Sequence, residues 1–198
     1  YILEKQAETC FQIFRKPICV LSGAAGTGKT TVIKTLVENI KRVHGQGVGI
    51  LLLAPTGKAA ERIKNQTGEK SSTIHSYLAS NGWINENFTL KRSGGKMGQD
   101  LNTLIIDESS MIDLNLFATL LRAINWNSIR RLILVGDPNQ LPPIGKGKVF
   151  ADTIAWLSKD YAQNIGTLTE NIRQLRNQVE GNGTGILDLA ELFIQENQ

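Results

Sequence analysis

A chain of 198 residues with 41% hydrophobic and 20% charged side chains is expected to form one soluble α/β domain, or one domain and a fragment of another. Its net charge of +4 is compatible with nucleic acid but too small to define a partner. No apolar run approaches membrane-spanning length and no signal peptide opens the sequence, so a membrane partner is not expected. Cys10 and Cys19 fall at apolar positions of a predicted helix and strand, which predicts buried free thiols and a reducing cytoplasm rather than a disulfide or metal pair. The chain lacks an initiator methionine and ends in a polar tail, so it is expected to be a piece of a longer protein.

Leu3, Ala7, Cys10, Phe11 and Phe14 recur at helical spacing and predict an amphipathic opening helix. Gln6 lies on it. Its carboxamide suits the N6/N7 edge of adenine and equally suits a solvated surface position. Ile18, Cys19, Val20 and Leu21 form an apolar run expected as a buried strand, and Val32, Ile33, Leu36, Val37 and Ile40 predict the next helix. Between them, Gly23-Ala24-Ala25-Gly26-Thr27-Gly28-Lys29-Thr30 fits G-x-x-x-x-G-K-[ST], and the flanking strand and helix give this Walker A pattern its meaning. Gly23, Gly26 and Gly28 can take positive φ and bring N–H groups close to phosphate oxygens, where the helix N-terminus adds partial positive charge. Lys29 is expected to reach the β- and γ-phosphates, and the Thr30 hydroxyl to ligate Mg²⁺. A glycine turn with a chance lysine is the alternative, and the flanking elements argue against it.

Val48 to Ala54 predicts a second buried strand, and Pro55-Thr56-Gly57 turns the chain into a helix from about Lys58 to Lys64. Thr56 reads as an N-cap. It also falls at the carboxyl end of a strand, where parallel sheets place ligands, so a nucleic-acid backbone contact is the functional alternative. In the short segment Ser72 to Leu78, His75 is either an imidazole satisfied in the core or a contact to phosphate or sugar. Residues 79–100 break the α/β rhythm. Trp83, Ile84, Phe88, Leu90, Lys91 and Arg92, bracketed by Asn-Gly and Ser-Gly-Gly, predict a small inserted hairpin. An exposed aromatic beside cations suits base stacking, whereas Trp83 taken alone is expected to pack back on the body.

Leu101 to Asp107 predicts a third apolar strand ending in Asp107-Glu108, a Walker B arrangement. Asp107 is expected to hold Mg²⁺, and Glu108 to take a proton from the water that attacks the γ-phosphate. A helix from about Leu114 to Ile124 follows, N-capped by Asp113. The fourth strand, Arg131 to Val135, leads into a rigid Gly136-to-Pro143 loop, whose Gln140 is assigned to sensing the γ-phosphate. Val149, Phe150, Thr153, Ile154 and Leu157 mark a covering helix, and Thr167 to Thr169 a short fifth strand. The polar, glycine-rich stretch from Arg176 to Gly185 reads as a linker or disordered loop, and Ile186, Leu189, Ala190, Phe193 and Ile194 as a last amphipathic helix.

The segments GAAGTGKT, LLLAPTGKAAERI, STIHSYL, LIIDESSMID, LVGDPNQLPPIGKG and LTENIRQ stand in the order found in superfamily 1 helicases. The wording resembles the RecD-like 5′→3′ DNA helicases, including the alpha subunit of exodeoxyribonuclease V, over nearly the whole chain. The resemblance implies a RecA-like P-loop fold, with a mostly parallel sheet between helices and the small hairpin acting as a strand-separating pin. It implies ATP and Mg²⁺, with Gln6 on adenine and the loop from Gly23 to Thr31 on the triphosphate. Asp107 and Glu108 become the metal carboxylate and base, Gln140 the γ-phosphate sensor, and Arg173 an arginine reaching the γ-phosphate from the edge between two motor domains. Thr56, Thr73 and His75 match motifs that contact single-stranded DNA. Residues 1–175 then correspond to a first motor domain, and 176–198 to a linker and helix leading toward a second that supplies the later motifs. Expected partners are single-stranded DNA, duplex junctions, that second domain, and nuclease or helicase subunits. A RecA-like ATPase without unwinding activity, a non-catalytic nucleic-acid-binding module, and the relaxase-helicase and Pif-type branches are the competing readings.

Overall fold

The computed structural model describes residues 2–170, so Arg173, the 176–185 stretch and the final helix expected from sequence lie outside the described residues. The elements alternate: α1 (Ile2–Phe14), β1 (Ile18–Gly23), α2 (Lys29–His44), β2 (Ile50–Ala54), α3 (Gly57–Thr67), β3 (Ser71–Thr73), α4 (Ile74–Ser80), β4 (Thr103–Ile106), α5 (Leu114–Ala123), β5 (Arg131–Gly136), α6 (Val149–Asp160) and β6 (Ile165–Leu168). Among the described residues these strands pair in parallel, in the order β3-β2-β4-β5-β1-β6. Among the described residues no helix is long and apolar enough to cross a membrane.

Handedness explains the two helical layers. Parallel strands need right-handed crossovers, so a step in one direction along the sheet puts its helix on one face and a step in the other direction puts it on the opposite face. The chain moves from β1 to β2 to β3 in one direction, then returns through β4, β5 and β6. Accordingly, α2 and α3 bury Val32, Ile33, Leu36, Ala59 and Ile63 against one face, joined there by Cys10 and Ile13 of α1. On the other face, Ile74, Leu78, Leu116, Leu120, Phe150 and Leu157 from α4, α5 and α6 form a second core. The strands feed both layers alternately: Ile105 and Ile133 face the first, Leu104, Ile106, Leu132 and Leu134 the second.

Local chemistry starts the helices where the sequence predicts. Thr56 Oγ1 accepts from Ala59 N at 3.3 Å, and Asp113 Oδ1 accepts from Leu116 N at 2.8 Å. Such caps contribute about 1 kcal/mol each. β3 was not expected as a strand: its three residues carry no apolar pattern, and it exists because Leu52 to Ala54 of β2 offer an edge to pair with. Thr73, its last residue, caps α4 by accepting from Ser76 N at 3.0 Å. The last strand also begins earlier than predicted, at Ile165. Gly166 lets α1 sit directly on it, since a Cβ there would stand 2.6 Å from Thr9 Cγ2 and 2.9 Å from Ile13 Cδ1.

Both cysteines are buried and free. Burial pushes the Cys19 thiol up to about 12, opposed by the nearby Lys16 and Arg131 charges, and raises Cys10 too, opposed by its hydrogen bond from Asn39. The thiolate is the reactive form, so both sites should be inert in the native state. An aromatic disulfide reagent at pH 8 should titrate no thiol of the folded protein and both after denaturation; fast reaction of Cys19 in the native protein would contradict this packing.

Candidate active site

The two directions of chain travel leave a crevice at the carboxyl ends of β1, β5 and β4, which are neighbours in the sheet. Register aligns these ends: Ser22 pairs with Gly136, and Ile106 with Leu134. The loops carrying Gly23–Thr30, Asp137–Gln140 and Asp107–Glu108 therefore leave the sheet at similar height.

Gly26 and Gly28 take φ of 85° and 88°, the left-handed region that lets the loop curl over the end of β1. Gly28 is also the N-cap of α2, with no side-chain cap. Gly23, expected at positive φ with them, does not take it and is fixed by contact instead: a Cβ there would lie 2.6 Å from Thr27 Oγ1 and 2.9 Å from the Leu168 carbonyl. Thr27 Oγ1 donates to Ala24 O at 2.9 Å, and Gln6 Nε2 donates to Thr27 O at 3.3 Å, so the opening helix braces the loop from behind. Gln6 is buried, which removes the solvated-surface alternative for it. Lys29 Nζ donates to Gly23 O at 2.6 Å and Ala24 O at 2.9 Å. Burial lowers its pKa, while Asp137, Asp107 and Glu108 favour its charged form.

Asp107 follows β4 directly and is 1% exposed. Its backbone N–H donates to Leu53 O at 2.9 Å, extending the β2–β4 ladder by one bond. Glu108 then takes a positive φ of 52°, a strained conformation for a non-glycine residue. The following 3₁₀ turn, Ser109–Met111, is anchored by Ser109 Oγ donating to Ile106 O at 2.7 Å. Arg62 of α3 reaches both carboxylates, with Nη2 at 3.0 Å from Asp107 Oδ2 and 2.8 Å from Glu108 Oε1. Across the crevice, Asp137 Oδ1 accepts from Asn139 N at 2.9 Å and shapes the loop that presents Gln140. Gln140 Oε1 accepts from Ser110 Oγ at 3.3 Å.

A cavity of about 390 Å³ lies among these groups, lined by Ala25, Gly26, Gly28, Lys29, Thr30, Thr31, Arg62, Gln66, Asp107, Glu108 and Gln140. It adjoins a larger groove of about 710 Å³ along α3, which shares Arg62, Gln66, Glu108 and Gln140 with it and extends to Thr56 and Lys58. The smaller cavity matches the donor set a magnesium–triphosphate needs: a loop and helix N-terminus for phosphate, a lysine, a hydroxyl and a buried carboxylate for the ion. The larger one lacks the loop.

Among the other candidates, Thr56 is exposed, and Thr56 and Thr73 spend acceptor capacity on helix caps at the same end of the sheet. His75 is exposed, so the alternative of a core-satisfied imidazole falls. Within 79–100, one antiparallel bridge joins Ile84 and Leu90. Trp83 is buried and donates from Nε1 to Lys96 O at 2.7 Å, while Phe88 is 87% exposed at φ 62°. Arg62 and Ser110 join the site beyond the residues that the motifs single out. A cation on α3 was the available signal, but its target lies 45 residues away and becomes a neighbour only because β2 pairs with β4.

A six-stranded parallel sheet with a P-loop after one strand and an acidic pair two strands away defines a RecA-like nucleotide-binding domain. The family profile described as an AAA domain (AAA_19) matches residues 6–146. The chain belongs to this family, within its RecD-like superfamily 1 branch. It is 32% identical to the RecBCD enzyme subunit RecD of Haemophilus influenzae, over 82% of this chain and 29% of that protein. It is 36% identical to the ATP-dependent RecD2 DNA helicase of Deinococcus radiodurans, over 73% of this chain and 19% of that protein. The chain thus spans less than a third of the length of these relatives. In fold it is similar to the Pif1 helicase of Candida albicans, with a TM-score of 0.56 and 24% identity, covering 88% of this chain and 41% of that one.

Asp107 illustrates a conflict between site and stability. Burial raises its pKa; Glu108's charge adds to this, while a backbone hydrogen bond and Arg62 oppose it. A carboxyl with a raised folded pKa favours the native state below its unfolded pKa, and that contribution is lost as pH rises through the folded value. At pH 7.5 the buried charge is therefore a cost. Asp107→Asn should melt at the same or a higher temperature than the unmodified chain at pH 7.5, with the difference shrinking toward pH 4. Calorimetric scans across this range provide the check, and a large drop in Tm at pH 7.5 would show the ion pair with Arg62 dominating instead.

Proposed function

We propose that this chain is the ATP-binding motor domain of an ATP-dependent 5′→3′ DNA helicase that couples hydrolysis to movement along single-stranded DNA. The convergence of Lys29, Thr30, Asp107, Glu108 and Gln140 on one cavity carries the reading. The loop from Gly23 to Thr31 binds the triphosphate through backbone N–H groups, and Lys29 leaves the Gly23 and Ala24 carbonyls to neutralise phosphate charge. Gln6, which donates to Thr27 O from behind the loop, would take the adenine. Thr30 and Asp107 would hold Mg²⁺, which when bound screens the phosphate oxygens and favours departure of the γ-phosphoryl group. Glu108 accepts a proton from the attacking water, and Gln140 registers the γ-phosphate. Arg173 has the family role of stabilising transferred charge.

Thr56, Thr73 and His75 lie at the carboxyl edge of β2 and β3 and would take the phosphate backbone of a single strand. The 79–100 insertion would serve as a pin at a duplex junction. A second RecA-like domain of the parent protein would close over the nucleotide cavity, and nuclease or helicase subunits are the partners that suit a RecD-like protein in the cytoplasm. An ATPase that does not unwind DNA would need Lys29 and Glu108 but not this nucleic-acid edge.

A fluorescent ATP analogue with Mg²⁺ should bind the unmodified chain, and Lys29→Ala should weaken binding at least about tenfold. Glu108→Gln should retain nucleotide binding and abolish residual hydrolysis. A labelled single-stranded oligonucleotide should bind at low salt and dissociate steeply as salt rises. Nucleotide binding without any oligonucleotide binding would favour the plain ATPase, and failure to bind nucleotide would refute the motor assignment.

A further inference from the structure

Arg62 has no motif role in the reading of the site, yet its guanidinium contacts both members of the acidic pair. A single nitrogen, Nη2, serves both Asp107 and Glu108, so one cation bridges two carboxylates as a metal ion would. Asp107 is buried and deprived of water, so its charge requires such a partner. Arg62 itself is 45% exposed, and it lines both the nucleotide cavity and the groove along α3. Leaving the carboxylates would return its guanidinium to solvent at little cost. Its helix cannot easily yield. α3 is seated on the sheet through Ala59, Ala60 and Ile63, and Ser71 Oγ donates to the Ala60 carbonyl.

We propose that Arg62 is a positioning residue that competes with the divalent cation for Asp107 and, through the same nitrogen, holds the base Glu108 parked until magnesium–nucleotide displaces it. The inference rests on the magnesium–nucleotide reading of the cavity. Displacement frees Glu108 from its 2.8 Å contact and turns Arg62 toward the groove that ends at Thr56 and Lys58. Thr56 caps the same helix, six residues away, or about 9 Å at a 1.5 Å rise. Occupancy of the nucleotide cavity is thereby communicated to the edge assigned to the single strand without any rearrangement of the sheet.

The test separates metal affinity from nucleotide affinity. Binding of Mn²⁺ to the 198-residue chain with ADP, read by electron paramagnetic resonance, should tighten on the order of fivefold in Arg62→Ala and in Arg62→Gln, the charge-removing variant that keeps a hydrogen-bond donor. Arg62→Lys, which retains the cation, should stay within about twofold of the unmodified chain. ADP affinity in EDTA should hold or fall in the two neutral variants, because a cation near the phosphates is lost. Tighter Mn²⁺ binding with ADP affinity in EDTA held or lowered supports the latch, since a merely structural role weakens both together. Unchanged or weaker Mn²⁺ binding in Arg62→Ala and Arg62→Gln, with nucleotide-dependent Mn²⁺ binding intact in the unmodified chain, overturns the latch alone. Absence of nucleotide-dependent Mn²⁺ binding in the unmodified chain overturns the reading of the cavity and the latch with it.

Discussion

The constraint on which the rest of the structure depends is the right-handedness of parallel crossovers. Because β1 sends its helix to one face while β4 and β5 send theirs to the other, the loops at their carboxyl ends diverge instead of covering one another. The resulting crevice is where backbone N–H groups from one side and carboxylates from another can face a common volume. Each chemical group in the cavity owes its position to a strand end, which gives it the rigidity of the sheet.

Charge is arranged against this frame with little slack. Asp107, Glu108 and Asp137 stand near Lys29 and favour its charge against burial, while Arg62 and a backbone hydrogen bond favour the charge of Asp107 against burial and the neighbouring Glu108. Both cations are held by groups they could exchange for others: Lys29 by two carbonyls, Arg62 by two carboxylates. Such an assembly is suited to a ligand that brings negative phosphate for the lysine and a positive ion for the acids. The positive φ of Glu108 fits the same picture, since the turn that follows it is anchored by Ser109 Oγ on Ile106 O.

The α3 helix joins the two halves of the molecule's chemistry. Its N-terminus lies at the edge of β2 and β3, its middle touches the acidic pair, and its apolar side is fixed to the core. The groove along α3 is lined from Thr56 and Lys58 at the helix N-terminus to Arg62, Gln66 and Glu108, so one stiff helix spans the proposed nucleotide cavity and the edge proposed for a single strand.

Much was legible in the sequence because it was local. Glycine spacing marked the loop, apolar runs marked β1, β2, β4 and β5, and Thr56 and Asp113 announced the helices they cap, since all these depend on residues within a turn or two of one another. β3 was invisible because its pairing partner, not its own pattern, makes it a strand. The burial of Trp83 and the exposure of His75 followed from what packs against them; sequence weighed both outcomes for each without deciding all of them. The sequence by itself determined which residues could bind phosphate and which could carry acid–base chemistry. Only the tertiary structure decided that Arg62 stands between the carboxylates and that Ser110 holds Gln140, because those contacts depend on strand order, and strand order is a long-range property that no local periodicity encodes.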